Sequence, residues 1–404
     1  MRKNRRTERD FTRKRKITFP ELIMILINLL KKSLQKELVH FFALMSKPIA
    51  VTKSAFSQSR IKLKPEAFVD LNDTLVKGFY KDDDFDTWKG YRIVAIDGST
   101  MNLPYSEEIV DYFSTVKTQT NTVLPICRIS QCYDILNDIQ INSVISPYET
   151  SEYEQAIEHI EKLCEHDIAL FDRGYGALWL FLLLKERNIN YVIRISRSLF
   201  TDFWESNDNS RIERIDECSK ESMAQLKTFG IEFKPYKLRL VKVKLITGET
   251  EVLVTSLYSK TKYPDSVFKN LYALRWGIEG NYNHLKNHME LENFSGKSVC
   301  AIKQDFYANV FIENIRSLIA HDAQIEIEEK KQDSKYYYKV NRNLSIGFMK
   351  DEIIRLFLSN DPDYIDKIIK LFTLEPVPIR EGRHLERKFH TSLRRYRMNY
   401  RSAL

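Results

Sequence analysis

The sequence has few cysteines, and their spacing excludes the usual cysteine-based sites. The 404 residues contain five of them: Cys127, Cys132, Cys164, Cys218 and Cys300. None belongs to a C-x-x-C pair, so the pattern fits neither a structural zinc site nor a disulfide framework. Scattered cysteines are typical of a reducing compartment, and we therefore expect a cytoplasmic protein.

A hydrophobic run long enough to cross a membrane is also missing. The run LIMILINLL at 22–30 is about half the length that a bilayer requires. It follows a basic stretch, as the core of a signal peptide does, but KKSLQKELVHFF follows directly with no small-residue cleavage site. The run therefore predicts a buried amphipathic helix that begins near Pro20.

Positive charge is concentrated at the two ends of the chain, whose overall net charge is +8. Residues 1–19 contain nine Lys or Arg against two acidic residues, and residues 371–404 contain eight against three. The body between these ends is mildly acidic. This distribution indicates a polyanionic partner, most simply nucleic acid, although solubilising tails give the same pattern.

Hydrophobic periodicity predicts a helical N-terminal region over 18–86. Within it, Thr52 or Ser54 is suited to cap a short basic helix that ends before Pro65. A helix of this composition after a turn is compatible with a DNA-reading helix, and equally with an ordinary polar helix.

From residue 91 the pattern changes to alternating strands and helices. YRIVAIDGS, PICRISQCYD and IQINSVIS predict three strands of an antiparallel meander. A helix (SEYEQAIEHIEKLCE), a wholly apolar strand (IALFD), a second helix (GALWLFLLLKERN) and another strand (YVIRIS) follow. Residues 198–262 interrupt this order as a mostly β insertion, with a hairpin expected around Thr247–Gly248. Residues 301–404 return to helical patterns.

Two aspartates follow apolar strands at the points where those strands are expected to end. Asp97 lies in AIDGST and Asp172 in ALFDRGYG, each just before a glycine-containing turn. Either residue alone reads equally well as a turn or capping aspartate. Because carboxylates at the ends of adjacent central strands lie at one edge of the sheet, the pair predicts a common site.

A third carboxylate belongs to an ionic stripe in LYALRWGIEGNYNHLKNHMELENFSGK (271–297), where we expect a single helix to carry the stripe. Tyr272, Arg275, Glu279 and Lys286 are separated by three, four and seven residues. These steps are near-whole helical turns, so the four side chains share an arc about 60° wide. The alternative is a solvated face with an Arg275–Glu279 pair of little energetic weight.

Three other residues of this segment carry predictions of their own. His284 and His288 have a metal-compatible spacing but face away from the stripe, which predicts surface positions. Trp276 lies off the centre of the stripe and is expected to pack against the core, with stacking on a base as the alternative.

Three carboxylates without His or Cys favour a hard cation with oxygen ligands, Mg²⁺ or Mn²⁺. Such a set can hold two ions about 3.5–4 Å apart, the arrangement used for in-line attack on phosphorus. Four basic residues on the stripe or in the neighbouring predicted elements are suited to bind phosphate: Arg173, Arg194, Arg275 and Lys286.

The Tyr272-x2-Arg275-x3-Glu279-x6-Lys286 pattern resembles the Y-R-E-K signature of a branch of bacterial insertion-sequence transposases. AIDGST with Asp97, DRGYG with Asp172 and YVIRIS with Arg194 resemble the upstream segments of the same family, and the resemblance covers about residues 20–350. It implies a mixed α/β, ribonuclease-H-like core with a DDE triad of Asp97, Asp172 and Glu279 as metal ligands.

The resemblance also implies roles for the other residues. Tyr272, Arg275 and Lys286 resemble contacts to the terminal phosphates of the transposon end, and Arg194 resembles a DNA-contacting residue after the last core strand. In this branch an aromatic residue in or near the insertion holds a flipped base, and Phe203 and Trp204 are candidates by position only. The implied organisation is a helical DNA-binding region with a basic tail (1–86), the catalytic core (87–197 and 263–322), a β-rich insertion (198–262) and a helical C-terminal region with a basic tail (323–404).

The function expected from this resemblance is DNA transposition. It comprises binding of terminal inverted repeats in double-stranded DNA, metal-dependent strand cleavage, and strand transfer by a cut-and-paste route through a hairpin. A homodimer in the synaptic complex and association with the bacterial nucleoid are expected with it. Two alternatives remain open: a related DDE endonuclease without strand transfer, and a non-enzymatic DNA-binding regulator.

Overall fold

The computed structural model describes residues 2–13, 15–28, 31–47, 51–82, 84–117, 123–245 and 248–380. The N-terminal region is helical, as predicted, and contains α1 (Phe19–Ile27), α2 (Leu34–Leu44), α3 (Lys53–Arg60) and α4 (Glu66–Phe79). Helix α1 begins next to Pro20 because Thr18 and Glu21 form a reciprocal capping box. Thr52 caps α3, its hydroxyl accepting a hydrogen bond from the Ala55 amide at 3.2 Å.

The central region alternates strands and helices. Its elements are β1 (Arg92–Asn102), α5 (Glu107–Phe113), β2 (Thr115–Lys117), β3 (Val123–Asp134), β4 (Ile139–Pro147), α6 (Glu152–Ile160), β5 (Asp167–Phe171), α7 (Leu178–Glu186) and β6 (Asn190–Ile195). The order β4-β3-β1-β5-β6 is antiparallel through the first three strands and parallel through the last three. This mixed sheet is the ribonuclease-H-like arrangement that the resemblance implied, and the predicted meander is confirmed.

The wholly apolar strand β5 is buried on both faces, as its composition predicts. Ala169 and Phe171 pack in the cluster that contains helix α7, whereas Ile168 and Leu170 pack in the cluster that contains Phe268. Strand β5 therefore lies at the centre of the molecule, and the residue that follows it emerges at the edge of the sheet.

The segment over 198–262 extends the same sheet. It contains α8 (Thr201–Glu205), β7 (Ser210–Ile215), α9 (Lys220–Thr228), β8 (Tyr236–Lys244) and β9 (Thr250–Thr255). Strands β8 and β9 form the predicted hairpin, and Gly248 adopts a φ of +87°, which favours glycine. Thr247 lies outside the described residues. Strand β9 pairs with β6, so these strands are continuous with the central sheet.

The remaining elements are mostly helical: α10 (Val267–Ala273), α11 (Trp276–Asn283), a π-helical turn (His284–His288), α12 (Val299–Lys330), β10 (Tyr337–Lys339), α13 (Arg342–Leu358), α14 (Tyr364–Phe372) and β11 (Val377–Ile379). The long helix α12 packs against α4, α1, α14 and β4 and so joins the N-terminal and C-terminal helices to the sheet. The basic tail predicted over 371–404 lies outside the described residues from 381 onward.

The basic N-terminal stretch is docked on the turn between α3 and α4. The Arg6 amide donates to the Lys62 carbonyl at 2.9 Å, and the Lys64 amide donates to the Asn4 carbonyl at 2.9 Å. Lys3 forms an ion pair with Asp70 at 2.8 Å. These contacts place the cationic residues of the stretch beside α3, on the same side of the molecule.

Arg60 of α3 is a structural residue. It is only 5% exposed, and its guanidinium donates to the side chains of Gln304 and Ser295, both at 2.6 Å, and forms an ion pair with Asp305. The exposed polar residues of α3 are therefore Lys53, Ser54, Ser57 and Gln58, at the beginning and middle of the helix.

Among the residues that the structure describes, no helix combines the length and the apolar character needed to span a membrane. The division of the chain into four regions stays a prediction.

Candidate active site

Asp97 and Asp172 occupy equivalent positions in two paired strands. The parallel pairing of β1 with β5 ends at Ala95 and Leu170, and each aspartate follows its paired residue by two positions. Asp172 lies directly after β5, as predicted. The prediction that β1 ends at Asp97 is wrong, because pairing with β3 continues on the other side of the strand as far as Asn102.

Both carboxylates are oriented by main-chain amides. Asp97 Oδ1 accepts from the Gly98 amide at 2.8 Å, and Asp172 Oδ1 accepts from the Gly174 amide at 2.8 Å. A Cβ at position 174 would lie 3.0 Å from that same oxygen, which explains the glycine in DRGYG. A main-chain amide close in sequence thus orients each carboxylate, within β1 for Asp97 and in the turn after β5 for Asp172.

The segment with the ionic stripe is a broken helix, so the prediction that a single helix carries the whole stripe is wrong. Helix α10 ends at Ala273, and α11 begins at Trp276. Between them the amides of Arg275 and Gly277 donate to carbonyls three residues earlier, at 3.0 and 2.8 Å. Hydrogen bonds of this shorter span tighten the backbone and change its direction. After α11 the chain widens into the π-helical turn that carries Lys286.

Arg275 links Glu279 to Asp97. The Arg275 guanidinium is 2.9 Å from Glu279 Oε1 and 3.7 Å from Asp97 Oδ2. The i,i+4 pair exists, but Arg275 is only 5% exposed, so the alternative of a solvated surface pair does not describe it. The break in the helix directs this side chain toward the sheet.

Tyr272 and Lys286 flank this group. Tyr272 is buried, and its hydroxyl has no hydrogen-bond partner among the described residues. Lys286 Nζ donates to Ser99 Oγ at 2.7 Å and to the Thr100 carbonyl at 2.6 Å, which places it beside β1 beyond Asp97. The basic residues of the stripe therefore lie along β1, with Arg275 near Asp97 and Lys286 near Ser99 and Thr100.

The two other basic candidates differ in their availability. Arg173 is exposed in the turn after Asp172. Arg194 lies within β6, not after it as expected, and pairs with Glu251 of β9 at 2.8 Å. Because β9 continues the sheet beside β6, Arg194 has a carboxylate partner that the strand pattern alone did not indicate.

The predictions for Trp276 and His284 are corrected, and the base-holding role of Phe203 or Trp204 stays a prediction. Trp276 is 49% exposed rather than packed in the core, with the Arg275 guanidinium 4.9 Å from its ring centroid. His284 is buried rather than at the surface, since α12 covers it and brings Glu313 Oε1 to 3.0 Å from Nε2; His288 is exposed, as expected. Phe203 is fully buried, and half-buried Trp204 donates to the Leu199 carbonyl at 3.1 Å.

Burial and the nearby carboxylates raise the pKa of Asp97. Burial, followed by the charge of Asp172, raises the pKa of Asp97 to about 7, and Glu279 adds to the rise while Arg275 opposes it. A cluster of carboxylates in a partly desolvated cleft is costly without a cation, and such sites are frequently functional.

The donor set fits a hard divalent cation in its chemistry. All three carboxylates supply oxygen ligands, and the buried hydroxyls of Tyr175 and Tyr272 lack protein partners among the described residues. In the described part of the chain, no three acidic, His or Cys side chains already surround a common point at metal-binding distance. Arg275, which contacts both Asp97 and Glu279, supplies part of the positive charge there.

Sequence reasoning missed a set of polar residues behind Asp97. The Asp97 carbonyl accepts from Tyr282 Oη at 2.8 Å and from Ser130 Oγ at 3.0 Å. Ser130 also contacts His159 Nε2 at 3.0 Å, and Asn142 contacts His159 Nδ1 at 3.1 Å. The available signal was the adjacent polar pair Ser130 and Gln131 within strand β3.

His159 is expected to make the protein less stable in acid. Burial lowers the pKa of His159 from 6.5 to about 3. As the pH falls below 6.5, this imidazole is therefore protonated in the unfolded chain but stays neutral in the folded chain. This difference removes about 2 kcal/mol of the free energy of unfolding between pH 7.5 and pH 5. Urea unfolding of His159→Gln at pH 7.5 and pH 5 should show a loss of unfolding free energy that is smaller than the wild type's by that amount. The control is His166→Gln, at an exposed position, which should lose as much as the wild type. Equal losses in all three proteins would contradict the assignment.

A model of the transposase DDE domain matches residues 88–315, which is more than half of the chain and contains all three carboxylates. The chain belongs to the transposase DDE domain family. This membership agrees with the resemblance described above.

Two curated relatives of this DDE-family chain are proteins of Escherichia coli (strain K12). InsZ is 24% identical over 183 residues, which is 44% of this chain, and InsG, the transposase for insertion sequence element IS4, is 23% identical over 258 residues, which is 61% of this chain. The chain spans 57% and 56% of the lengths of these relatives. A cryo-EM structure of the piggyBac transposase synaptic complex with hairpin DNA aligns with a TM-score of 0.42 and 10% identity, over 88% of this chain and 75% of that chain.

Proposed function

We propose that this protein is a DNA transposase that cuts and joins DNA at a centre formed by Asp97, Asp172 and Glu279. The observation that carries the proposal is the register of β1 and β5, which puts the two aspartates in equivalent positions, together with Arg275, which links Glu279 to Asp97. Membership of the DDE family supports the same reaction class.

Asp97, Asp172 and Glu279 would hold Mg²⁺ or Mn²⁺, as two ions. The chemistry that such ions would supply is a lower pKa for an attacking water or 3′-hydroxyl and charge stabilisation of the leaving oxygen. Main-chain amides of Gly98 within β1 and of Gly174 after β5 orient two of the three carboxylates before any ligand arrives, and pre-orientation of this kind lowers the cost of assembling a site.

The basic residues around the carboxylates would bind the DNA end. Arg275 is the nearest to the reacting group, and exposed Arg173 projects from the turn that carries Asp172. Tyr272, Lys286 and Arg194 complete the proposed contacts to terminal phosphates, consistent with a Y-R-E-K branch assignment. To bind a phosphate oxygen, Lys286 must give up its hydrogen bond to Ser99, and Arg194 must give up its ion pair with Glu251.

The N-terminal region would bind the inverted repeat of double-stranded DNA. The docked basic stretch and the exposed face of α3 lie together and would supply backbone contacts and base contacts, respectively. A homodimer on paired ends, cut-and-paste movement through a hairpin on the transposon end, and the predicted division into four regions belong to this proposal.

The test is cleavage of a DNA fragment that carries the element's own end, incubated with Mg²⁺ and an unlabelled target plasmid. We expect nicking at the end boundary and labelled end joined to the plasmid, both abolished by EDTA. Cutting without joined products would replace the transposase by a DDE endonuclease. Specific binding of the end without any cutting would favour a DNA-binding regulator and contradict the proposed activity.

A further inference from the structure

The main-chain carbonyl of Asp97 is held from two sides. Tyr282 Oη donates to it at 2.8 Å from helix α11, and Ser130 Oγ donates to it at 3.0 Å from strand β3. Both side chains are buried, with Tyr282 only 6% exposed. The residue that carries the first carboxylate is thus fixed through its backbone as well as through its own side chain.

Tyr282 belongs to the same helix as the third carboxylate. It follows Glu279 by three residues, within one turn of α11. Its ring centroid also lies 5.8 Å from Lys286 Nζ, which is itself bound to β1 through Ser99 and Thr100. The hydroxyl of Tyr282 is therefore a direct connection between the helix of Glu279 and the strand of Asp97.

Helix α11 needs lateral anchors of this kind. It has eight residues, begins after a tightened turn and ends in a π-helical turn, so its neighbours along the chain hold it weakly in place. It approaches the sheet so closely that a Cβ on Gly277 would lie 2.9 Å from Ile135. Asn281 adds a second anchor by donating to Gln131 Oε1 at 3.1 Å.

We propose that Tyr282 is a positioning residue whose hydroxyl sets the separation between Glu279 and Asp97, and thereby the affinity of the carboxylates for a divalent cation. The inference rests on the proposed function, since it assigns to the same carboxylates the role of metal ligands. A displacement of about 1 Å between groups that must act together is enough to cost a large factor in activity. Tyr282 acts through Asp97 and touches neither metal nor DNA.

The variant Tyr282→Phe removes the hydroxyl and keeps the packed ring. Mn²⁺ binding to the DNA-free protein, measured by the loss of the free Mn²⁺ EPR signal, should weaken about fivefold to tenfold, the scale of one lost hydrogen bond. The Mn²⁺ concentration that half-saturates end cleavage should rise by the same factor. At saturating Mn²⁺ the cleavage rate should return close to that of the wild type, which damage to the fold would not allow.

The matched control is Tyr236→Phe. Tyr236 is 3% exposed, its hydroxyl donates to the Leu178 carbonyl at 3.2 Å, and its strand β8 is separated from β5 by β6 and β9. It should lose no Mn²⁺ affinity. Wild-type Mn²⁺ affinity in Tyr282→Phe, or an equal loss in both variants, would overturn the positioning role and leave the proposed function standing. A wild-type protein that neither binds Mn²⁺ nor cuts DNA would overturn both.

Discussion

Replacement of Glu279 by Gln is expected to reduce cleavage of the element's end by at least about 10³-fold, while binding of that end stays close to the wild-type level. The amide keeps the size of the side chain and an oxygen that can accept from Arg275 at the position of the present 2.9 Å contact. It loses the negative charge that a divalent cation requires. A metal-assisted step draws several kcal/mol from such charge, and each 1.36 kcal/mol is a factor of ten in rate.

Binding should persist because most of the affinity of a DNA-binding protein comes from backbone phosphates contacted by cationic residues. Single-turnover cleavage and a mobility-shift assay on the same labelled end separate the two effects. Glu161→Gln is the control, since Glu161 also pairs with an arginine, Arg187 at 2.8 Å, but at a half-exposed surface site. Cleavage by Glu279→Gln at the rate of this control would exclude Glu279 from the catalytic centre.

The two aspartates could be predicted from the sequence because their positions depend on local signals. A short apolar run followed by a polar residue and a glycine marks the end of a buried strand, and Asp172 follows β5 in that way. The same reasoning placed Asp97 at the correct edge although β1 continues beyond it. Its continuation depends on pairing with β3, a partner about thirty residues away in the chain that no local pattern at 91–99 reveals.

The helix of the ionic stripe was predicted with the wrong geometry because periodicity assumes an unbroken helix. The three-residue hydrogen bonds before Gly277 and the close approach of Ile135 are set by packing on the sheet. The side of α11 that periodicity assigned to solvent is instead covered by α12. His284 is buried for that reason, and Trp276 is exposed because the break turns it outward. Helical periodicity therefore identified the residues of the ionic stripe, but tertiary packing determined which side chains of this segment are buried and which are exposed.

Glu313 of α12 is the centre of a buried ionic cluster that fixes the end of the stripe. It is 1% exposed and accepts from Arg316 at 2.8 and 2.9 Å and from Arg342 at 2.8 Å, with His284 Nε2 at 3.0 Å. The adjacent guanidiniums hold the pKa of Glu313 well below its usual range, despite burial. Arg342, the first residue of α13, also donates to Asn281 of α11 at 2.9 Å, so the cluster joins α12 and α13 to α11.

Glu313→Gln is therefore expected to lower the free energy of unfolding by about 3–5 kcal/mol, because it leaves buried cations without their main counter-ion. Arg316 is only 2% exposed and would retain one carboxylate partner, Asp138 at 2.7 Å. The control on the same helix is Glu326→Gln, whose partner Lys330 is exposed and whose loss should cost less than about 1 kcal/mol. Denaturant unfolding at neutral pH measures both variants. Similar small losses in the two would mean that the buried cluster contributes no more than a surface pair, and that apolar packing alone holds α11 and the π-helical turn against α12.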